Sequence, residues 1–136
     1  MTGSSRGIGA AIARRLAAMG YGVTINYVSS EDTASQQVET IRRAGGRAIA
    51  VRADVGSFPE VEAMVRRTAG AFGGLRVVVN NAGLSEHSTV EDMTVDTWNR
   101  AVAVNLSSAF YTVKAALRYL RNEPWGASST SPRCGP

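Results

Sequence analysis

The sequence predicts an α/β protein built on a doubly wound parallel sheet, and three observations support this. Short β-branched runs alternate with amphipathic helical patterns through most of the 136 residues. The glycine-rich stretch "TGSSRGIG" at 2–9 leads directly into a helical pattern. The run "LRVVVNNAG" at 75–83 is almost wholly apolar, which is typical of a strand covered on both faces.

The first half of the chain divides into alternating elements. The helix after the glycines carries apolar residues at helical spacing, namely Ile8, Ile12, Leu16 and Met19, and Gly20 ends it. The stretch "GVTINY" at 22–27 predicts a strand. Residues 31–44 predict a helix that two glycines end, and "RAIAVRADV" at 47–55 predicts the next strand.

The second half continues the alternation. A helix is predicted from the spacing of Val61, Met64, Val65 and Phe72, and the strand 75–83 follows it. Residues 84–93 predict a loop. A long helix is predicted from about Thr94 to about Leu120, on an apolar stripe of Trp98, Val102, Leu106, Ala109, Val113 and Leu117. Residues 122–136 have no periodicity and predict a solvated, unstructured tail.

Composition narrows the class of protein. Hydrophobic residues make up 44% and charged residues 19%, as in soluble globular proteins. No apolar run reaches the ~20 residues that span a bilayer, and no leader opens the chain, so we expect a cytoplasmic protein without a membrane partner. The net charge of +4 comes from arginine pairs on separate predicted helices, which argues against a nucleic-acid partner.

Two residue types that often carry chemistry are nearly absent. Cys134 is the single cysteine, lies in the tail and has no partner for a disulfide or a metal site. His87 is the single histidine and lies in a polar stretch that predicts a surface loop. We therefore expect no metal.

The glycine stretch predicts a dinucleotide site. Gly3, Gly7 and Gly9 allow the backbone to approach a pyrophosphate at the start of the following helix. An acidic residue at the end of the next strand would bind the ribose of NAD, but this chain has Asn26 and Tyr27 there. Arg6 suits a 2′-phosphate, so NADP is favoured over NAD. The alternative for Arg6 is an ordinary solvent-facing loop residue.

Four motifs together resemble the short-chain dehydrogenase/reductase family. They are "TGSSRGIG" at 2–9, "ADV" at 53–55, "NNAG" at 80–83 and "VNL" at 104–106, and their order and spacing match the family throughout 2–121. The pattern is most similar to the 3-oxoacyl-carrier-protein reductase and glucose dehydrogenase branches. The resemblance implies a Rossmann-like fold, truncated here, with 1–121 as a partial NAD(P)-binding domain.

The resemblance also implies roles for individual residues. The cofactor's phosphates and adenosine ribose would contact Gly3, Ser5, Arg6, Ile8 and Gly9. Asp54 and Val55 would bracket the adenine, with the Asp54 carboxylate accepting a hydrogen bond from the exocyclic amine. The pocket would be lined by Asn81, Ala82 and Gly83. Asn105 matches the catalytic asparagine, which kinks the long helix and holds a water in the proton relay.

The rest of the family's active site is not encoded. It reduces carbonyls with a tyrosine acid, a lysine four residues later that lowers the tyrosine pKa, and a serine that orients the substrate. Lys114 is the only lysine, and the residue four positions before it is Phe110. We therefore expect no turnover from these residues alone.

Both ends of the chain suggest hypotheses about its gene. Read two bases out of frame, "ASSTSPRC" at 127–134 is compatible with "RVVNISSVW", which resembles the family's fifth strand and catalytic serine. We hypothesise a single-base shift near Arg121 to Trp125. A GTG valine codon read as Met1 would likewise place a start inside the first strand, and we expect the absence of that strand to leave a gap of about 10 Å in the sheet.

The sequence therefore predicts the N-terminal half of an NADP-dependent oxidoreductase that moves hydride between nicotinamide and an alcohol or carbonyl. The alternative is a non-catalytic dinucleotide-binding or oligomerisation module. In either case we expect a homo-oligomer formed through the long helix 94–121.

Overall fold

The computed structural model describes residues 1–85 and 88–120. The predictions for His87, Cys134 and the tail at 122–136 lie outside these residues. The elements are, in order, α1 (Gly7–Ala18), β1 (Gly22–Tyr27), α2 (Glu31–Arg43), β2 (Arg47–Arg52), α3 (Phe58–Phe72), α4 (Val95–Val102), a π-helical turn (Ala103–Ser107) and α5 (Ser108–Leu120). In this described part of the chain, no helix combines the length and hydrophobicity needed to cross a membrane.

The two strands form a parallel pair with helices on both faces. Gly22 lies opposite Arg47, and the register continues to Tyr27 opposite Arg52. Val23 and Ile25 pack into a core cluster with residues of α1 and α2. Thr24, between them, faces the other way, and its hydroxyl lies 2.8 Å from the Thr68 hydroxyl of α3. Alternation along β1 therefore separates two helix layers, which confirms the doubly wound α/β prediction.

The helix ends follow their local chemistry. Acidic residues Glu31 and Asp32 occupy the first turn of α2, and Arg42 and Arg43 occupy its last turn, where each sign of charge is favourable. Helix α3 ends at Gly73, which adopts a left-handed conformation with φ 77°. Helical spacing with a glycine stop predicted α2 to within one residue, and helical spacing predicted the presence of α3.

The predicted strand at 47–55 is three residues too long. β2 ends at Arg52, although the N–H of Ala53 still donates to the Tyr27 carbonyl at 2.9 Å. The chain then turns away, because the N–H of Asp54 donates to Glu60 Oε2 of α3 instead of to the sheet. The end of β2 is thereby drawn toward the helix layer that contains α3.

The predicted strand at 75–83 is wrong, since the structure assigns no strand to these residues. A strand is paired along its length, whereas the backbone hydrogen bonds between this segment and the other described residues are confined to its end near Thr2. The Thr2 N–H donates to the Val79 carbonyl at 3.0 Å, and the segment ends with the Asn81 N–H bonded to Thr2 Oγ1 at 3.0 Å. The segment is therefore not part of a ladder.

A groove of about 300 Å³ lies between β1 and residues 75–79. We call it the N-terminal groove; its walls include Met1, Val23, Thr24, Phe72, Val77 and Val79. The amino group of Met1 is buried at one end and donates to the Thr24 carbonyl at 3.5 Å. Burial lowers the pKa of this amine from 8.0 to about 6.

The long helix predicted at 94–120 is present, but the π-helical turn at Ala103–Ser107 interrupts it. Thr94 caps its start by accepting from the Thr97 N–H at 3.1 Å. The side facing α3 is buried and includes Ala115 and Ala116. Members of the predicted apolar stripe lie on the outer side and remain exposed, namely Trp98, Leu106, Val113 and Leu117. The stripe therefore identified the helix correctly and marks its outer face.

Candidate functional site

The glycine stretch forms a tight turn that ends at the start of α1. Gly3 and Gly7 have φ values of 58° and 57°, which favour glycine. A Cβ on Gly9 would collide with the Gly3 carbonyl and lie 2.7 Å from Asn81 Nδ2. The first turn of α1 carries no acidic residue, and Arg6 at its N-cap makes no side-chain capping bond. Its first N–H groups are therefore suited to an anion.

Two buried polar side chains fix the shape of this turn. Ser4 and Asn26 are 0% and 2% exposed. The Asn26 N–H donates to Ser4 Oγ at 2.9 Å. Asn26 Oδ1 accepts from the Gly3 N–H at 3.0 Å, and its Nδ2 donates to the Ala53 carbonyl at 2.9 Å. Asn26 therefore joins the glycine turn to the end of β2 and satisfies its own polar groups.

Asn81 secures the turn from the opposite side. Its Nδ2 donates to the carbonyls of Gly3 at 3.0 Å and Thr2 at 3.3 Å. The N–H of Ala82 donates to Thr2 Oγ1 at 3.1 Å. A Cβ on Gly3 would lie 2.8 Å from Ala82 Cα, so the two backbones touch. The "NNAG" motif and the glycine turn thus form one unit.

Asp54 follows β2 and makes the only ion pair among the described residues that faces this region. Its Oδ2 accepts from Arg100 Nη1 at 2.6 Å, and its Oδ1 accepts from the Gly56 N–H at 2.9 Å. Burial raises the pKa of this carboxyl, but the bonds from Arg100 and Gly56 outweigh burial and hold it below the ordinary value of 3.8. Asp54 is therefore ionised at neutral pH.

Asn105 occupies the π-helical turn and links the long helix to the segment after Gly83. Its Oδ1 accepts from the Leu84 N–H at 2.8 Å, and its Nδ2 donates to the Leu84 carbonyl at 2.9 Å. Widened turns of this kind often occur at functional positions because they redirect a side chain out of the helical ladder. Here the redirected side chain holds the rim of the cleft described next.

These groups surround a cleft of about 520 Å³ at the carboxyl ends of the strands. The predicted cofactor residues that line it are Gly3, Ser5, Arg6, Ile8, Gly9, Asn26, Tyr27, Asp54, Val55, Asn81, Ala82 and Gly83. Gly7 and Asn105 do not line it: Gly7 begins α1 behind the turn, and Asn105 reaches the cleft through Leu84. This location matches the ligand crevice of doubly wound sheets.

Sequence reasoning missed six lining residues, Val28, Ser29, Ser30, Leu84, Arg100 and Val104. Ser29 and Ser30 lie two and three residues after Tyr27, the predicted cofactor residue at the end of the strand 22–27. Extending the predicted site by three residues past Tyr27 would have included them. Arg100 carries no comparable signal, because 46 residues separate it from Asp54.

The side chains that could transfer a proton do not meet at this cleft. Burial and then the neighbouring Glu31 carboxylate raise the pKa of Tyr27, so its phenol stays protonated. Lys114 lies on α5 with its Nζ 5.5 Å from the ring centroids of Phe58 and Phe110, outside the cleft. The described residues thus form this cleft without the tyrosine–lysine pair that the resemblance implies for the active site.

Comparisons with known proteins agree with this geometry. A short chain dehydrogenase family model matches residues 1–127. An uncharacterised oxidoreductase of Methylorubrum extorquens is 42% identical over 120 residues, which cover 88% of this chain and 48% of that protein. A 3-oxoacyl-acyl-carrier-protein reductase of Staphylococcus aureus is 36% identical over 127 residues, covering 93% and 52%.

A solved structure shares the same arrangement. A short chain dehydrogenase from Burkholderia cenocepacia in complex with NADP is 44% identical, with a TM-score of 0.84 over 86% of this chain and 48% of that one. The chain spans about half the length of the curated relatives it matches, 48% of one and 52% of the other. The resemblance read from the motifs is confirmed, and the chain belongs to the short chain dehydrogenase family.

Proposed function

We propose that this chain is the cofactor-binding half of an NADP-dependent oxidoreductase that transfers hydride between nicotinamide and an alcohol or carbonyl. The observation that carries the proposal is the convergence of the glycine turn, Asp54 and the "NNAG" motif on one 520 Å³ cleft. A bound nicotinamide dinucleotide would supply or accept the hydride there. The same proposal places the protein in the cytoplasm, where such cofactors circulate.

Each part of the cleft has a distinct binding role in this proposal. The turn at Gly3 and Gly9 and the first N–H groups of α1 would hold the pyrophosphate. The ionised Asp54 carboxylate and Val55 would bracket the adenine. Asn81, Ala82 and Gly83 would line the pocket beyond the pyrophosphate, while the Asn81 amide keeps the turn in shape through Gly3.

A preference for NADP over NAD is supported by the end of β1. This end offers Asn26 and Tyr27 rather than the carboxylate that binds the NAD ribose. Arg6, Ser29 and Ser30 lie on the rim of the same cleft, and a guanidinium with two hydroxyls suits a 2′-phosphate.

Calorimetric titration of the purified chain with NADPH and NADH tests this preference. We expect NADPH to bind at least about tenfold more tightly and Arg6→Ala to remove most of that difference, because a charge-assisted phosphate contact is lost. Arg15→Ala, an exposed arginine on α1 outside the cleft, is the control. Equal affinities for both cofactors in the unchanged chain would contradict the preference.

The proposal also holds that these 136 residues bind cofactor without turnover. Asn105 alone matches the family's catalytic set, and its amide is engaged with Leu84. A phenol with an ordinary pKa of about 10 needs a nearby cation to act as an acid near neutral pH. NADPH oxidation by the purified chain in the presence of carbonyl substrates, free of host reductases, would contradict this part.

The alternative function is a non-catalytic dinucleotide-binding or oligomerisation module, and the outer face of the long helix favours it. Leu106, Phe110 and Val113 are 70%, 62% and 47% exposed on this face. Apolar exposure on one helix is typical of a subunit contact. We propose a homo-oligomer through this helix, tested by light scattering: Phe110→Glu should yield monomers, whereas the exposed Thr40→Glu on α2 should not.

A further inference from the structure

The pair formed by Asp54 and Arg100 connects two distant elements across the cleft. Asp54 lies just beyond β2, and Arg100 lies on α4. Their contact at 2.6 Å is the shortest ion pair of the described residues. The backbone of Asp54 is fixed as well, because its N–H donates to Glu60 Oε2 at 2.9 Å. Both ends of the aspartate are therefore held.

Gly56 provides the space for this pair. A Cβ at Gly56 would lie 2.8 Å from Arg100 Nη1 and 3.3 Å from both Asp54 Oδ1 and Ala103 Cβ. The guanidinium therefore packs directly on the Gly56 backbone, whose N–H also donates to Asp54 Oδ1. A side chain at position 56 would displace Arg100.

The pair contributes little to the stability of the fold. The side chains of Arg100 and Asp54 are 44% and 27% exposed, and ion pairs this open to solvent contribute below about 1 kcal/mol. Both residues line the 520 Å³ cleft. Their arrangement is thus better explained by what the carboxylate does inside the cleft.

We propose that Arg100 is a positioning residue that makes the cleft selective for an amino-purine over an oxo-purine, which rests on the proposed dinucleotide function. An ionised carboxylate has about four acceptor positions, and Arg100 and Gly56 use two of them. Because Arg100 and the Gly56 N–H hold the ionised Asp54 carboxylate in one orientation, the remaining positions accept from the exocyclic amine of adenine. The carbonyl that hypoxanthine carries at the same position would be repelled by the carboxylate.

The test compares two reduced cofactors by calorimetry, NADPH and its hypoxanthine analogue. In the unchanged chain we expect NADPH to bind about tenfold more tightly, the size of one charge-assisted hydrogen bond. Arg100→Met should weaken NADPH by about tenfold and the analogue by less than about twofold. Arg100→Lys should restore part of the preference, because it keeps the charge.

Two further variants separate positioning from general damage. Arg118→Met removes an arginine on α5 that pairs with Glu62 at 3.8 Å outside the cleft, and we expect no change in either affinity. Gly56→Ala leaves Arg100 in the chain but displaces it, and should reproduce the selective loss seen with Arg100→Met. Circular dichroism at the titration temperature checks that each variant is folded.

The affinities of these variants for the two cofactors either support or overturn the positioning role of Arg100. Selective loss of NADPH affinity in both Arg100→Met and Gly56→Ala supports the positioning role. Equal loss of both cofactors overturns it and leaves Arg100 as a structural link between α4 and β2, and unchanged affinities overturn it as well. If the unchanged chain binds neither cofactor, the dinucleotide proposal fails and this inference fails with it.

Discussion

At the scale of single residues, the cleft depends on groups that are buried behind it. Ser4 and Asn26 are almost fully buried, yet together they fix the Gly3 N–H and the path of the glycine turn. Their polar atoms are satisfied within the protein, so replacing either would leave a buried partner unpaired. The shape of the glycine turn is therefore set from inside the fold.

Gly9 gives the most direct test of that shape. Gly9→Ala places a methyl group against the Gly3 carbonyl and Asn81 Nδ2, so we expect the free energy of unfolding to fall by about 2 kcal/mol and NADPH binding to be lost. Urea unfolding and calorimetry measure the two effects. Gly70→Ala on α3 meets nothing within 4 Å and should instead raise stability by about 0.5 kcal/mol.

The Asp54 carboxyl supplies a prediction about pH. Its pKa is held below 3.8 in the folded chain, so the Arg100 contact stabilises the fold above about pH 4 and loses that effect as the pH falls through the lowered pKa. Carbon NMR titration should show the Asp54 pKa rising toward its ordinary value in Arg100→Met. An unchanged Asp54 titration in that variant would rule out the contact in solution.

At the scale of elements, the π-helical turn joins α4 and α5, two halves of one long helix that contact different parts of the molecule. Helix α4 reaches the cleft through Arg100, whereas α5 packs on α3 through Ala115 and Ala116. In the turn between them, the Asn105 side chain forms two hydrogen bonds with the backbone of Leu84. The rim of the cleft is therefore attached to the helix at its irregular point.

Asn105→Ala tests this attachment. We expect faster hydrogen exchange at the Leu84 amide, because the variant lacks the oxygen that accepts from it. The free energy of unfolding should fall by only about 1 kcal/mol, because both hydrogen bonds are exposed and water competes for them. Asn99→Ala, an exposed position on α4 outside the cleft, should change neither quantity. Slow exchange at Leu84 in Asn105→Ala would show that other contacts hold the rim.

Elements with local signals were predicted well, and elements that need a distant partner were not. Helical spacing and a following glycine pair located α2, helical spacing alone located α3, and the strand predicted at 22–27 matches β1. The apolar run at 75–83 indicated a buried strand, but burial is a property of side chains and a strand needs a paired backbone. Likewise, nothing near Asp54 in the sequence points to Arg100, which the fold brings in from 46 residues away.

At the scale of the whole molecule, the buried Met1 amine in the N-terminal groove couples the stability of the fold to pH. The Met1 amine has a pKa of about 6 in place of 8.0, so the folded chain binds fewer protons than the unfolded chain between these values. We therefore expect the free energy of unfolding to rise with pH from 6 to 8, by about 2 to 3 kcal/mol. Urea unfolding at several pH values measures this rise.

Extensions before Met1 distinguish the effect of the buried amine from the effect of filling the groove. An extension of four β-branched apolar residues moves the amine out of the groove, so the pH dependence of stability should flatten. The same residues supply a strand between Val23 and Val79, so Tm should rise. A Gly-Ser-Gly-Ser extension removes the same amine but packs poorly, and should flatten the pH dependence without raising Tm. If both extensions act alike on Tm, the groove does not bind an extended segment.

The hydrogen bonds between Asn81 and the glycine turn also have a consequence for the order of folding. They join residues 78 and 79 positions apart, so the turn cannot be secured until the chain has been made beyond "NNAG". Closing so long a loop costs more conformational entropy than forming the local helices or pairing β1 with β2. We expect NADPH binding, if the cleft takes it as proposed, to appear in the slowest refolding phase. During synthesis on the ribosome, the glycine turn cannot be secured until Asn81 has been added to the chain.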